Sequence, residues 1–311
     1  MTRSIALAGR RQPIGRRGSA TYWLYLLPGL IGFVLVIGIP FGMNVAISFT
    51  RWRGTGSPSW IGLQNYRDLL QDDVFWQSFR NNLAMVIAMA IVPTVVGLLI
   101  ASVLADYVQQ KLGRRTASTF RAIYYLPQVL PIAVAGVVWG WILSPDQGAL
   151  NTLLRDVGLT RLTQNWLGDP HTALPSVMLV MVWLQLGYPI VVFMAGLQRV
   201  DPELHEAAEL DGASWLQRLR HISVPSIRPE IFVVLLTTTI AALKVFSQIF
   251  VLTRGGPDNA TMVPSYFAYQ NFFEKARVGY GAAISTVMTL IIIVLTAAFI
   301  RAQNRANRDE A

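Results

Sequence analysis

The polar residues that could do chemistry in this sequence lie inside apolar stretches. Lys244 stands near the middle of one stretch, and Thr237, Ser247 and Gln248 recur around it at helical spacing. The spacing predicts a polar stripe along one face of a helix. An ionisable group inside an apolar span usually faces a cavity, a partner or a substrate. The alternative is that Lys244 snorkels to an interface or bonds a carbonyl of a neighbouring helix.

A second group of candidates occupies another apolar stretch, with Trp183, Gln185 and Tyr188 close together. Aromatic faces can pack against the C–H surfaces of a sugar, and amides can hydrogen-bond to its hydroxyls. Aromatic residues also serve as anchors at a membrane interface. Together with the polar stripe, these three residues are the candidates for a substrate pathway.

Sequence patterns of catalysis and metal binding are absent. The chain has no Gly-x4-Gly-Lys-Ser/Thr, no His-Glu-x-x-His and no Gly-x-Ser-x-Gly. Its three histidines, His171, His205 and His221, are too scattered for a metal site, and it has no cysteine. Because a P-loop is missing, the chain cannot cradle ATP phosphates in that manner. We expect no enzymatic activity and no cofactor bound by this chain.

Composition indicates an all-α membrane protein. The 311 residues are 53% hydrophobic and 14% charged, with a mean hydropathy of +0.44. Stretches near the ~20 residues that a bilayer requires predict six transmembrane helices. They lie at about Tyr22–Ser48, Leu83–Ala105, Ile123–Leu143, Leu174–Leu197, Ile231–Thr253 and Tyr280–Ile300. The first is longer than the apolar part of a signal peptide, so we interpret it as an uncleaved span.

The distribution of basic residues predicts the orientation. Of the 26 Lys and Arg residues, sixteen fall in the two tails, the second connection and the fourth connection, and nine fall in the alternate loops. Basic residues concentrate on the cytoplasmic side. We therefore expect both termini to be cytoplasmic, with a basic tail over residues 1–20, a membrane domain over 21–303 and a second tail over 304–311. The net charge of +9 then reports orientation rather than binding to nucleic acid.

The sharpest pattern is a polar stretch at about residues 201–225, between the fourth and fifth spans. Asp201-Pro202 predicts the cap and first position of a short helix, which Gly212 ends through a positive φ. Ser214 is expected to cap a second helix, and Val224-Pro225 to stop it. The prediction is two short helices at an angle, with carboxylates at the elbow.

This stretch resembles the EAA loop of permease subunits in bacterial binding-protein-dependent ABC importers. Glu206, Ala207, Ala208 and Gly212 match its hallmark positions and Pro225 its closing proline, while Val224 stands where leucine is usual. The resemblance implies a type I importer permease fold in which the loop is a coupling helix docked on the ATPase subunit. An ordinary amphipathic surface turn is the alternative.

Further stretches are similar to the carbohydrate-uptake branch, the type of the larger permease of maltose and glycerol-phosphate importers. Leu252-Thr253-Arg254-Gly255-Gly256-Pro257 resembles its Gly-Gly-Pro signature, a tight turn, although glycine is usual where Arg254 stands. The resemblance implies a second permease subunit, two ATPase subunits that hold ATP and Mg²⁺, and an extracytoplasmic substrate-binding protein. The implied location is the bacterial inner membrane, and the implied cargo is a sugar, polyol or sugar phosphate.

Two other functional classes remain as hypotheses. An ion-coupled secondary transporter commonly uses inverted repeats and intramembrane carboxylates. This sequence shows no repeat, and its acidic residue nearest to a span, Asp106, stands at a helix end. An intramembrane enzyme would need a catalytic pattern that the sequence lacks.

Overall fold

A computed structural model describes the backbone of residues 19–309, and their side chains except at 19–24, 108–110, 112, 114 and 306–309. Two compact units divide the chain, one ending at Ala46 and the other beginning at Ile47. Most of the predicted basic tail over 1–20, and the last two residues of the tail over 304–311, lie outside the described residues.

The regular secondary structure of the described chain is helical apart from one short hairpin, β1 (Thr50–Arg51) paired antiparallel with β2 (Ser59–Trp60). The helices are α1 (19–48), α2 (Gln64–Leu70), α3 (Asp73–Tyr107), α4 (Arg115–Val129), α5 (Ile132–Ile142), α6 (Ala149–Asp156), α7 (Pro170–Leu197), α8 (Pro202–Leu210), α9 (Trp215–Ser226), α10 (Arg228–Leu243), α11 (Ser247–Leu252), α12 (Pro264–Tyr269) and α13 (Val278–Asp309). The high helix content agrees with the predicted all-α class.

Four helical segments are long and apolar enough to cross a membrane: Tyr25–Ser48, α3, α7 and Val278–Arg305. Two bent pairs, α4 with α5 and α9 with α10, bring the number to six if each pair counts as one span. The first, second, fourth and sixth predicted spans thus fall on single helices. The third and fifth predicted spans do not.

The predicted third span, Ile123–Leu143, is wrong as a single helix. The chain turns by 94° between α4 and α5. Pro131 at the turn is extended, with φ −55° and ψ 130°. Proline lacks an N–H for the helical ladder and disfavours helical geometry in the residue before it. The run of apolar residues continues through this turn, so hydropathy alone could not reveal it.

The predicted fifth span, Ile231–Thr253, is also interrupted. Helix α10 ends at Leu243, and α11 begins at Ser247. Lys244 has φ −100° and ψ 8°, and Phe246 has φ −140° and ψ −59°. Lys244 therefore lies at a break rather than inside a continuous helix.

Two apolar clusters hold the helices of the second unit together. One joins α3, α7, α12 and α13 around buried residues such as Met85, Met181 and Tyr266. The other joins the end of α3 to α7 and α10 through Leu104, Phe193 and Val234. Small residues allow helices to approach closely at crossings in a membrane. The second cluster lies where the polar stretch between α7 and α10 begins and ends.

Candidate functional site

Residues 201–227, between α7 and α10, fold as two short helices joined by a tight turn, which we call the elbow segment. The Asp201 carboxylate accepts a hydrogen bond from the Glu203 backbone N–H at 3.0 Å, and Pro202 opens α8. Gly212 has φ +80°, in the region that favours glycine. The predicted cap and the predicted glycine stop are confirmed. Local sequence therefore sets the first arm and the turn.

The second arm begins as predicted and ends differently. The Ser214 backbone N–H donates to Gln217 Oε1 at 2.7 Å, as part of a capping box. The expected stop at Val224-Pro225 is wrong, since both residues lie inside α9 and helical geometry is lost at Ile227. A π turn over Leu219–Ser223 shifts the hydrogen-bond ladder just before Pro225. The missing N–H of this proline falls at that shift, so the helix tolerates it.

The elbow segment exposes apolar side chains outside the spans. Helix α8 buries none of its residues, and Leu204 is 53% exposed and Leu210 90% exposed. Leu216, at the start of α9, is 62% exposed. No sequence pattern predicted the exposure of these leucines. Several exposed leucines on one short segment favour contact with another protein or a membrane.

The residues predicted to couple to a partner lie on this surface to different degrees. Glu206, Ala207, Gly212 and Pro225 are exposed, and Ala208 is half-buried. Ala208 and Gly212 line a cleft of about 390 Å³ between the two arms, together with Arg218 and His221. The surface thus combines small residues, exposed leucines and a carboxylate.

Charged side chains tie the two arms together and tie the segment to its flanking helices. Arg218 Nη1 lies 3.5 Å from Glu209 Oε2 and donates to the Ala213 carbonyl at 3.3 Å. At the base of the segment, Arg199 and Glu230 form an ion pair that links the end of α7 to the start of α10. These contacts indicate that the elbow segment is a shaped element rather than a loose loop.

The break at Lys244 is built from hydrogen bonds that other helices supply. Asn82 of α3 donates to the Ala242 carbonyl at 3.1 Å, and Ser265 of α12 donates to the Val245 carbonyl. The Ala242 carbonyl also accepts a hydrogen bond from the Val245 backbone N–H at 3.2 Å, so Asn82 gives it a second donor. Side-chain donors of this kind satisfy carbonyls at a helix end, where an unpaired carbonyl would be costly in a membrane. Lys244 is exposed, and no carboxylate pairs with it among the described residues.

The predicted polar stripe is wrong as one continuous face. Thr237, Lys244 and Ser247 are exposed, but Gln248 is only 8% exposed. The stripe assumed helical spacing throughout, whereas the break at 244–246 changes the angular relation between α10 and α11. The structure thus separates Gln248 from the exposed candidates.

The candidates on the fourth span remain accessible in part. Trp183 is 37% exposed and packs edge-on against Trp139, with ring centroids 5.4 Å apart. Gln185 and Tyr188 are half-buried. The Thr237 and Tyr188 hydroxyls are hydrogen-bonded at 3.2 Å, which links α7 to α10. Among the described residues, this is the hydrogen bond that joins the two groups of pathway candidates.

Pro189 adds a local irregularity beside these residues. It has no N–H, so the Gln185 carbonyl lacks its usual donor one turn later. Backbone polar groups freed in this way are tolerated in membrane proteins where they meet protein or line a cavity. Both groups of candidates therefore flank a place where a span departs from regular helix.

The Gly-Gly-Pro stretch forms the predicted tight turn. Arg254 has φ 49° and Gly255 has φ +79°. The Thr253 and Thr261 hydroxyls are 2.7 Å apart, and Thr261 donates to the Gly256 carbonyl at 2.8 Å. In the following helix α12, burial and the nearby charge of Glu274 raise the pKa of Tyr266. We assign no ligand contact to the Gly-Gly-Pro turn.

Sequence reasoning missed two adjacent asparagines in α3 that bond to other elements. Asn81 donates to the Met262 carbonyl at 2.9 Å, while Asn82 supports the break described above. Two adjacent asparagine side chains in an apolar helix could have indicated these contacts, since buried amides need hydrogen-bond partners. No metal-binding cluster of His, Asp or Glu occurs in the part of the chain that the structure describes.

Comparison with known proteins gives the family. Residues 97–309 match the model of the binding-protein-dependent transport system inner membrane component. The chain is 38% identical over 275 residues to a probable ABC transporter permease protein, YurN, of Bacillus subtilis, covering 88% of this chain and 92% of YurN. It is 34% identical over 272 residues to the diacetylchitobiose uptake system permease protein NgcF of Streptomyces coelicolor, covering 85% of this chain and 77% of NgcF.

A solved structure gives the same fold. The crystal structure of a bacterial alginate ABC transporter, in complex with an alginate pentasaccharide-bound periplasmic protein, superposes with a TM-score of 0.77. The match covers 92% of this chain and 95% of that chain at 23% identity. The family and its relatives are those of a permease, the non-catalytic subunit of such a transporter. This chain therefore belongs to the binding-protein-dependent transport system inner membrane components, as a multi-pass ABC transporter permease of the inner membrane.

Proposed function

We propose that this permease imports a sugar, a related polyol or a sugar phosphate, using ATP that separate subunits hydrolyse. In this proposal it pairs with a second permease subunit, two ATPase subunits dock on the cytoplasmic side, and an extracytoplasmic binding protein delivers the substrate. The chain itself binds no cofactor, because ATP and Mg²⁺ are held by the ATPases. Its family membership favours this mechanism over ion coupling.

The observation that carries the proposal is the exposed elbow segment. Helix α8 leaves Glu206, Ala207 and Leu210 uncovered, although its caps and ion pairs hold it in a defined shape. A folded element that leaves apolar side chains in water carries a free-energy cost, unless a partner covers those side chains. An ATPase subunit is the partner that fits an ABC permease. Its movement on binding nucleotide would push the elbow segment and tilt the attached helices.

Charge supports the orientation that this mechanism needs. The elbow segment and its flanks carry Arg199, Arg218, Arg220 and Arg228, which favours the cytoplasmic side. With the six spans that the sequence predicts, both termini would lie on that side too. The ATPases would then meet the elbow segment in the compartment that holds ATP.

The two irregular points of the fourth and fifth spans are the proposed substrate pathway. Substrate sites in transporters often lie where spanning helices are discontinuous. At one point, Pro189 frees the carbonyl of Gln185 itself, and Tyr188 lies one residue before this proline. At the other point, Lys244 and Ser247 flank the break between α10 and α11. Trp183 would supply an aromatic face for a sugar ring. Because Gln248 is buried, we expect it to support the break rather than contact a substrate.

The substrate class rests on resemblance and on one named relative. NgcF is a permease for diacetylchitobiose uptake, and the Gly-Gly-Pro turn is similar to the carbohydrate branch. The exposed, unpaired charge of Lys244 would also suit an anionic group on a sugar. We therefore place sugars and sugar phosphates first among possible substrates.

The test is reconstitution of the complex in proteoliposomes with its second permease, ATPases and binding protein. ATP hydrolysis and uptake are measured for a panel that includes diacetylchitobiose, neutral disaccharides, polyols and sugar phosphates. Stimulation of ATP hydrolysis by one compound, together with its uptake, would support the proposal. Uptake that persists without ATP and collapses with the proton gradient would overturn it.

A charge-neutral substitution tests the docking surface within the same assay. Glu206→Gln should weaken retention of the ATPase and lower stimulated hydrolysis. Asp156→Asn is the matched control, because Asp156 is also exposed and acidic but stands at the end of α6. Equal behaviour of the two variants would show that the Glu206 carboxylate takes no part in docking.

A further inference from the structure

A long-range hydrogen bond links the elbow segment to the second span. The Trp215 indole Nε1–H donates to Asp106 Oδ2 at 3.1 Å, across 109 positions of sequence. Trp215 is the first residue of α9, directly after the turn at Gly212, and Asp106 stands at the end of α3. The bond therefore joins two elements that are not neighbours along the chain.

The carboxylate that receives this bond is partly enclosed. Asp106 and Trp215 are both half-buried. The buried Ser102 hydroxyl, one turn earlier in α3, also donates to Asp106 Oδ2 at 3.5 Å. No ion pair to Asp106 occurs among the described side chains. Hydrogen bonds to a charged acceptor are stronger than neutral ones, so the indole is a significant partner for this carboxylate.

The bond adds to the covalent continuations of the elbow segment into α7 and α10. The Arg199–Glu230 ion pair closes the base of the segment between those two helices. Apolar contacts reinforce the region, since Leu104 of α3 packs in one cluster with Leu197 and Ile227. A displacement of the turn at Gly212 would act on α3 directly, because Trp215 lies only three residues beyond Gly212.

We propose that Asp106 is a positioning residue that holds the elbow segment to the second span through Trp215, so that both move together when an ATPase pushes on the segment. The inference rests on the proposed function, because it assumes an ATPase docked on the elbow segment. It extends that function by assigning a route into a span that is not continuous with the segment. Asp106 touches neither substrate nor nucleotide.

The absence of cysteine allows a direct test of this joint movement. Val103→Cys on α3 and Arg220→Cys on α9 introduce two exposed labelling sites in the assembled complex. Spin labels at these sites report the distance between the two elements by pulsed EPR, without nucleotide and with a non-hydrolysable ATP analogue. We expect one narrow distance distribution that nucleotide does not change.

Removing the indole donor should uncouple the two elements. Trp215→Phe keeps the ring and loses the N–H, so the distance distribution should broaden and shift on addition of nucleotide. Asp106→Ala should do the same, whereas Asp106→Asn retains an acceptor oxygen and should restore the narrow distribution. Trp141→Phe is the control, because Trp141 is 62% exposed on α5.

Transport gives the functional readout. For the panel sugar that most stimulates ATP hydrolysis, molecules imported per ATP should fall about tenfold in Trp215→Phe and Asp106→Ala. The double variant should be no worse than either single variant, because both remove one interaction. Two results would overturn the positioning role, provided that every variant retains the ATPase. One is that the losses of transport in the two single variants add up in the double variant. The other is that the distance distribution stays unchanged in the variants. Failure of the wild type to retain an ATPase would instead overturn the proposed function.

Discussion

Replacing Gly212 with alanine tests whether the shape of the elbow segment determines docking of the ATPase. Gly212 has φ +80°, and a Cβ built on it would meet no other atom within 4 Å. Steric overlap with neighbouring atoms therefore plays no part in the effect. The perturbation is confined to the backbone conformation that the turn requires.

The magnitude follows from that conformation. Left-handed geometry costs an L-residue about 1–2 kcal/mol, and glycine escapes this cost. A penalty of this size changes the population of the native turn about 5- to 30-fold. Asparagine tolerates positive φ better than alanine, and a β-branched residue tolerates it least. We therefore expect docking to weaken in the order Gly212→Asn, Gly212→Ala, Gly212→Val.

The chain offers a closely matched control. Gly158 also has φ +80° and open space around its Cβ position, but it follows α6, away from the elbow segment in sequence. Gly158→Ala should therefore lose a similar amount of stability and keep the ATPase. The assay measures ATPase retained after purification, stimulated ATP hydrolysis and the thermal unfolding midpoint for both variants.

Two results would refute the reasoning. Equal retention of the ATPase by Gly212→Ala and Gly158→Ala would show that the turn does not shape the docking surface. A series in which Gly212→Asn is more harmful than Gly212→Val would show that side-chain chemistry, rather than backbone conformation, dominates at this position. Gly212→Asp adds a charge to the same test and should still impair ATP-coupled uptake.

Two further predictions concern the break between α10 and α11. Asn82→Leu removes one donor to the Ala242 carbonyl and should destabilise the protein by about 0.5–1.5 kcal/mol, the net worth of one hydrogen bond, because that carbonyl keeps the Val245 backbone N–H as a partner. Thermal unfolding checks this, with Gln71→Leu at the exposed residue just after α2 as control. An unchanged midpoint would show that the break does not depend on this bond. Lys244→Met should lower uptake of sugar phosphates relative to neutral sugars, and Lys244→Arg should preserve their ratio. If Lys244→Met leaves the uptake ratio of sugar phosphates to neutral sugars unchanged, Lys244 does not bind an anionic group of the substrate.

The elbow segment shows how far sequence reasoning reaches. Its caps at Asp201 and Ser214 and its turn at Gly212 depend on side chains within a few residues of the backbone groups that they satisfy. Such local hydrogen bonds and φ preferences can be recognised from residue types and spacing. The stop at Pro225 was predicted wrongly because a π turn before this proline lets α9 continue to Ser226.

The candidate pathway shows where that reasoning ends. The polar stripe assumed a regular helix through Lys244, but the helix breaks there, and Asn82 and Ser265 supply hydrogen bonds from α3 and α12. These donors are far from the break in sequence. Nothing within the fifth span indicates that they are available. The exposure of Lys244 and the burial of Gln248 follow from that tertiary arrangement.

The sequence by itself determined the membrane class, the resemblance to importer permeases and the local form of the elbow segment, because hydropathy, caps and turn residues act over short distances. Only the tertiary structure decided that α4 and α5 meet at 94°, that the fifth span breaks at Lys244 and that Trp215 reaches Asp106. Each of these features depends on packing or hydrogen bonding whose energy comes from partners distant in the chain. Their positions become known only when the helices are assembled.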